Sequence, residues 1–360
     1  MGLILRLIVP TTLILVLAPV GMMYFTWLER KVLARMQDRI GPNRVGPYGL
    51  LQPLADGIKM LTKEDVVPRG ADRFCHFLAP VVIVVPALML FTLIPFGPRL
   101  VAAPLATGLI FFVAIGSTQV MAIFMGGWGS RGKFSMIGAL RNAAQLISYE
   151  VPMVISLAAI PLVAGSLQLS DIVEAQRGGW FILTSWGMVA FPLVVITGLA
   201  EINRTPFDLP EAESELVGGF HTEYSGMKFA MFYMAEFVST IALSALVAVL
   251  FLGGWMGPRF LPPAAWMGLK TFLICWTLIW FRGTFPRMRI DQMMGFAWKV
   301  LLPVSLANLF GAAFWVLAPG FVGKAAPLAA VVVVYMVTTH LWLKPRPHLP
   351  PQWVRLGEST

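Results

Sequence analysis

Apolar stretches of about 20 residues recur along the chain, separated by short polar ones. About 20 apolar residues in an α-helix cross a bilayer's hydrocarbon core. Nine stretches meet that length, some narrowly: about 3–28, 78–98, 106–126, 146–166, 180–200, 227–253, 264–282, 298–319 and 326–343. The pattern predicts an all-α integral membrane fold: a polytopic bundle of about nine transmembrane helices plus short interfacial helices, in a single membrane domain over 1–360. No internal repeat or low-complexity linker interrupts it. The first stretch does not read as a cleaved signal peptide. Arg6 is its only N-terminal charge, no small-x-small cleavage site follows, and charged residues begin directly at Glu29.

One polar connection has a periodicity of its own. Around 47–62, Leu51, Leu54, Ile58 and Leu61 recur at helical spacing, while Gln52, Asp56, Lys59 and Lys63 are polar. This fits a short helix lying at the membrane surface, and equally a helix packed on neighbouring loops.

Composition and charge sharpen the picture. The chain is 58% hydrophobic and only 12% charged, against about 25% charged in a soluble domain. The net charge of +9 sits between the apolar runs, so membrane orientation explains it better than nucleic acid does. The loops near 29–77, 127–145, 201–225, 283–297 and 344–360 carry 18 Lys/Arg; the opposite loops carry Arg6, Arg99, Arg177, Arg259 and Lys324. The positive-inside rule then predicts a multi-pass protein of the bacterial inner (cell) membrane, with the N-terminus outside and the C-terminus cytoplasmic.

Several motif matches carry no chemistry. Gly127-Trp-Gly-Ser-Arg-Gly132 fits GxGxxG, but it follows a membrane span rather than a strand. The Walker-like run it begins has Phe134 where Ser or Thr would hold Mg²⁺. Cys75 and Cys275 are too far apart for a CxxC, zinc or iron–sulfur motif. There is no HExxH and no GxSxG, and His221 and Glu223 read as hydrogen-bonding loop groups, so no metal site is expected.

The acids are more informative. Of 18 Asp/Glu, six fall between 201 and 223: Glu201, Asp208, Glu211, Glu213, Glu215 and Glu223. Glu150 and Glu236 lie inside predicted spans. Glu236 is about nine residues, or roughly 13 Å, into its span. A carboxyl in a bilayer costs a few kcal/mol at least, which makes it a functional candidate. Pro152, just after Glu150, should kink its helix and free carbonyls to line a cavity. Helix capping explains one or two acids of Asp208-Leu-Pro-Glu-Ala-Glu-Ser-Glu215, not all of them. Glu211 and Glu215 share a helix face and repel when both are charged. Crowding and burial raise carboxyl pKa values, so such a string can hold and pass protons. Arg30, Lys31, Arg35, Arg39 and Arg44, with Arg282, Arg287 and Arg289, face them from the same side. Many of these set topology, and a surplus of Arg over Lys also suits pairing with buried carboxylates.

These residues also carry a family resemblance. Glu29-Arg-Lys-Val-Leu-Ala-Arg-Met-Gln-Asp-Arg-Ile-Gly-Pro-Asn-Arg44 and Gly49-Leu-Leu-Gln-Pro-Leu-Ala-Asp-Gly-Ile-Lys59 resemble the loop after the first helix in the H subunit, also called subunit 1, of respiratory complex I. Ser148-Tyr-Glu-Val-Pro152 is similar to that family's fourth-helix motif. Glu201-Ile-Asn-Arg-Thr-Pro-Phe-Asp-Leu-Pro-Glu-Ala-Glu-Ser-Glu-Leu-Val217 resembles its most distinctive loop, extended by His221-Thr-Glu-Tyr-Ser225 and Met234-Ala-Glu-Phe237. Arg282-Gly-Thr-Phe-Pro-Arg-Met-Arg-Ile-Asp-Gln292 and Trp298-Lys-Val-Leu-Leu-Pro303 match its late loop. The likeness runs from about 20 to 303. Ile202, Phe237 and Ile290 depart mildly from the pattern, standing where Thr, Tyr and Tyr are common.

The resemblance implies an enzyme subunit of a proton-translocating NADH–quinone oxidoreductase, with no complete active site on this chain alone. It implies quinone as substrate, flavin and iron–sulfur clusters in partner subunits, and contacts with membrane-arm subunits, peripheral-arm subunits and lipids. It implies a quinone tunnel, for which the candidates are Arg30, Arg35, Arg39, Leu54, Asp56, Ile58, Phe207, Phe220, Arg282 and Arg287. The proton-path candidates are Glu150, Glu201, Asp208, Glu211, Glu213, Glu215, Glu223 and Glu236. Two rival readings are the equivalent subunit of a membrane-bound hydrogenase and a stand-alone transporter with Glu150 and Glu236 as proton sites. The full loops 29–59 and 201–225 weigh against the first, and the lack of inverted repeats against the second.

Overall fold

The computed structural model describes residues 2–98, 100–208, 217–258, 260–318 and 320–343. Glu211, Glu213, Glu215, Arg99, Arg259 and the stretch 344–360 lie outside them. Among the described residues twelve α-helices follow in chain order: α1 Gly2–Met36, α2 Gln52–Thr62, α3 Arg73–Leu93, α4 Gly108–Ser130, α5 Lys133–Ala164 and α6 Leu169–Ala175, then α7 Gly187–Glu201, α8 Gly226–Phe251, α9 Pro263–Thr284, α10 Ile290–Phe296, α11 Leu302–Leu317 and α12 Phe321–Leu343. Seven helices among the described residues are long and apolar enough to cross a membrane. The spans expected near 180–200 and 326–343 contain shorter apolar helices, Gly187–Glu201 and Pro327–His340.

Local chemistry sets the helix ends. The Asp72 carboxylate accepts from the backbone N–H groups of Phe74 at 3.0 Å and Cys75 at 3.3 Å, satisfying donors that α3 leaves open. Gly165, with φ +75°, closes α5 by donating its N–H to the Pro161 carbonyl at 2.8 Å. A π-turn over 297–301 joins α10 to α11, just where Pro303 leaves a carbonyl without its i+4 donor.

One expectation needs correction. The loop expected at 127–145 is largely helical, because α5 begins at Lys133. Ser135, Gly138, Ala139, Asn142 and Gln145 are buried, so α5 keeps a packed face well before its apolar run begins. Hydropathy marks where lipid could be, not where helix starts. Pro152 stands within α5, which continues to Ala164.

Helix α8 is the central post. Its apolar window is 83% buried, against 11% for that of α1. Around it α3 packs on α4, α4 on α5, α5 on α7 and α11, and α9 on the far side of α8. The short helix α2 lies against α1 and α8. Ser225 ties it there: its hydroxyl accepts from Val66 N–H at 2.8 Å and donates to the Glu64 carbonyl at 3.2 Å. Lys228 pairs with Asp65 at 2.7 Å.

The glycines of the GxGxxG-like stretch serve packing. A Cβ on Gly127 would lie 2.3 Å from Ala139 Cβ, and one on Gly129 would lie 2.9 Å from His76 N. Helices in a membrane associate through such small residues, because lipid supplies no hydrophobic drive between them. Gly127→Ala therefore pushes α4 off α5 and lowers the melting temperature and yield of purified protein. Gly268→Ala, in the exposed middle of α9 where an added Cβ meets nothing within 4 Å, leaves both unchanged or gains about 0.5–1 kcal/mol. Equal melting temperatures for the two variants contradict this packing.

Candidate functional site

Charges and a cavity meet where α1, α8 and α9 converge with the turn after α7. Glu29 lies on α1 directly after its apolar run. Arg204 follows α7, held by its N–H to the Leu199 carbonyl at 3.1 Å, while Phe207 N–H returns to the Arg204 carbonyl at 2.9 Å. Gln145 of α5 braces this turn, its amide donating to the carbonyls of Ala200 and Phe207, both at 2.8 Å. Tyr149 packs on the Phe207 ring at 5.1 Å and donates its hydroxyl to the Met293 carbonyl at 3.0 Å.

The turn thus fixes a guanidinium among carboxylates. Arg204 Nη1 meets Glu29 Oε2 at 2.8 Å and Arg204 Nε meets Glu236 Oε1 at 2.7 Å. Arg282, at the end of α9, pairs with the other oxygen of Glu29. The Arg204 guanidinium also stacks over the Phe237 ring, 4.1 Å from its centroid. Arg204 is 5% exposed and Glu29 3%. Charges so buried persist only when paired, and the row Glu236–Arg204–Glu29–Arg282 alternates in sign throughout. Beside it, Asp208 accepts from Arg287 at 3.0 Å. Burial raises the Asp208 carboxyl above its ordinary value, against the pull of Arg287, Arg282 and Arg204.

An apolar cavity of about 700 Å³ ends on this row. Met22, Met23, Met227, Phe229 and Tyr233 line it together with Arg282, the buried Glu29 and Phe237, and the exposed Leu54, Ile58 and Leu61 of α2, which mark its mouth. Leu54 is 50% exposed, Ile58 54% and Leu61 67%. An apolar helix face left this open suits the membrane surface rather than a packed loop. Arg30 reaches across the mouth to Asp56 at 2.6 Å. Burial works against the Asp56 carboxylate, but hydrogen bonds from Arg30 and Gln52, with the charges of Arg30 and Lys59, hold its pKa below the usual value.

A second acidic pair lies between α4, α5 and the end of α7. Ser117 of α4 donates to Glu150 of α5. The Glu201 carboxyl occupies the space a Cβ would take on Gly116, 2.8 Å from that position. Gly116 and Ser117 are adjacent on α4, so both carboxyls lie against the same turn of that helix.

Of the tunnel candidates, Arg30, Leu54, Asp56, Ile58 and Arg282 line the cavity. Arg35 and Arg39 lie at the end of α1 and just beyond it, Arg39 donating to Gln37 at 2.7 Å. Phe207 packs on Tyr149, Phe220 on His221 and Phe232, and Arg287 holds Asp208. Of the acids, Glu236 and Asp208 join the charged row, Glu150 and Glu201 form the second pair, and Glu223 sits by the α4–α5 turn at Gly132. His221 is buried among the rings of Phe220, Phe229 and Tyr233, and burial holds its imidazole down at about 4. Among the described residues no three His, Cys, Asp or Glu side chains gather as metal ligands.

Glu29 and Arg204 were not among the candidates, although both stand in the motifs that carry the resemblance. Two signals mark them. Glu29 is the first acid in the chain, and Arg204 is the only Lys or Arg among the six acids of 201–223.

The arrangement defines a class: a polytopic helical membrane protein in which an apolar cavity, open beside a surface helix, ends on a buried ionic row. Residues 9–313 match the family described as NADH dehydrogenase. The chain is 49% identical over 320 residues to the second NADH-quinone oxidoreductase H subunit of Syntrophobacter fumaroxidans, covering 86% of this chain and 96% of that one. It is 51% identical over 295 residues to the second H subunit of the same enzyme in Geobacter sulfurreducens, covering 79% and 89%. With the NADH-quinone oxidoreductase H subunit of Geobacillus kaustophilus it shares 50% over 285 residues, covering 78% and 85%. The chain belongs to this NADH dehydrogenase family.

Removing Arg204 leaves Glu29 and Glu236 buried with less countercharge, a cost of about 3–5 kcal/mol. Arg204→Leu should sharply lower the amount and melting temperature of folded protein in membranes. Arg204→Lys should recover only part, since a single ammonium does not reproduce a guanidinium bridging two carboxylates. A wild-type melting temperature for Arg204→Leu contradicts the pairing.

Proposed function

We propose that this chain is the membrane subunit of an NADH–quinone oxidoreductase that admits the quinone and couples its reduction to proton movement. The names its relatives carry support the first part. The observation that carries the second is the cavity, which runs from the exposed apolar face of α2 to Glu29 and Arg282. An isoprenoid tail is apolar along its length and a quinone headgroup is polar at its carbonyls. An apolar mouth and shaft with an ionic inner end complement that shape. In this reading Leu54 and Ile58 admit the tail, Arg30 and Asp56 brace the mouth, and Arg282 and Glu29 face the end nearest the headgroup.

No flavin or iron–sulfur cluster is assigned to this chain; electrons arrive through partner subunits of the peripheral arm. The cationic loops dock on that arm at the cytoplasmic side of a bacterial inner membrane, and the N-terminus lies outside. The chain's own contribution is to position the substrate and hold protons. Glu236 ends the ionic row, Asp208 flanks it, and Glu150 and Glu201 continue inward as a carboxyl pair. Glu211, Glu213 and Glu215 belong to the same proposed path.

Leu54→Trp and Ile58→Trp add bulk at the mouth without charge. Each is expected to raise the apparent KM for a long-tailed quinone roughly fivefold, the effect of about 1 kcal/mol lost in binding, and that for a short-tailed analogue much less. Equal effects on both contradict an entrance at α2.

Glutamine keeps a glutamate's shape but does not pass a proton as a carboxyl does. Glu236→Gln and Glu150→Gln should leave assembly largely intact and lower quinone reduction and proton pumping roughly tenfold or more, with a shifted pH profile. Aspartate at either position should retain part of the activity. An assembled Glu236→Gln complex with normal rate and proton-to-electron ratio leaves Glu236 as a packing carboxyl only.

A further inference from the structure

A second, much smaller cavity of about 20 Å³ is lined by Glu236 but not by Glu29. Ile83, Phe220 and Phe232 are among its apolar walls, and Gln119 and Asn203 are its other polar residues. A space of this size holds one water, and a buried water needs two to four polar partners. Glu236, Gln119 and Asn203 supply three.

Both amides are already oriented. Gln119, on α4, is buried and donates through Nε2 to the Ser239 hydroxyl at 2.9 Å, which leaves its Oε1 as a free acceptor. Asn203 accepts through Oδ1 from Gln145 at 3.3 Å and adopts φ +54°, a left-handed conformation that asparagine tolerates better than most residues. Their positions lead toward Glu201. Asn203 follows Glu201 by two residues. Gln119 lies one helical turn, about 4.5 Å along the axis, from Gly116, whose missing side chain gives the Glu201 carboxyl its room.

We propose that Gln119 and Asn203 are positioning residues that hold one water against the Glu236 carboxyl, and that this water carries protons from Glu236 toward Glu201. The water accepts a proton from Glu236 and releases one of its own inward, so it ends neutral and the carboxyl ends charged. The apolar walls exclude other routes, and Ser239 fixes which end of the Gln119 amide faces the water. This rests on the carboxyl path proposed above.

The test uses the whole complex reconstituted in vesicles. It reads assembly, NADH-driven quinone reduction, the proton-to-electron ratio and the pH profile. Gln119→Leu is close in shape and removes the acceptor. It is expected to slow coupled turnover roughly tenfold, the effect of one lost hydrogen bond on a rate. Gln119→Glu keeps an acceptor and adds a titrating group, so it should restore much of the rate with a displaced pH profile. Ile83→Phe fills the space from its apolar wall, replaces no polar group, and should reproduce the loss. The idea is overturned if Gln119→Leu or Ile83→Phe assembles and pumps at the wild-type rate and ratio. Equal losses in Gln119→Leu and Gln119→Glu with an unmoved pH profile also overturn it, because that is what a purely structural amide gives. Glu236→Gln, measured alongside, separates the two readings. A defect there with none in Gln119→Leu removes the water and keeps the path. No defect in either removes both.

Discussion

Arg204 carries its charge at every working pH, and the fold leaves it 5% exposed. A guanidinium in such surroundings must be neutralised within hydrogen-bonding distance, and only carboxylates do that fully. Glu29 comes from α1 and Glu236 from α8, so satisfying one cation fixes three elements at once. Glu29 then draws in Arg282 from α9. The convergence of these helices follows from where the charges are, not from hydrophobic matching, since lipid is as good a partner for apolar side chains as another helix.

Ionic ends and apolar walls follow from the same constraint. The row pairs its charges internally, and among the described residues Glu29 and Arg282 line the large cavity while Glu236 lines the small pocket at Gln119 and Asn203. Between row and surface the walls are methionine, leucine and aromatic side chains, which make a flexible, apolar shaft. The turn over 201–208 is the hub. It carries Glu201, Asn203, Arg204 and Asp208 within eight residues, and Gln145 and Tyr149 of α5 hold it in place.

Much of this was legible in the sequence. Apolar runs about as long as a bilayer is thick mark spans without any partner, and Glu236 stands out because a carboxyl inside such a run has a cost. The Leu51–Leu61 periodicity identified α2, whose exposed leucines fit the surface reading. What local pattern could not supply was pairing. Glu29 and Arg204 are 175 residues apart, and Glu29 and Arg282 are 253 apart. Arg282 was singled out by its loop, but nothing local marked Glu29 or Arg204 as its partners in one row. Helix ends were missed for a related reason: the start of α5 is buried by neighbours through Ser135, Gly138 and Asn142, and no hydropathy window registers a packed polar face.

The most direct measurement is photolabelling of the intact complex with a long-tailed quinone carrying a diazirine in its tail, followed by peptide mapping. Light-dependent adducts are expected on cavity residues such as Met23, Leu54, Met227 and Phe229, competed away by unlabelled quinone. Competable adducts confined to the outward faces of α9 or α11, with none in the cavity, would contradict it.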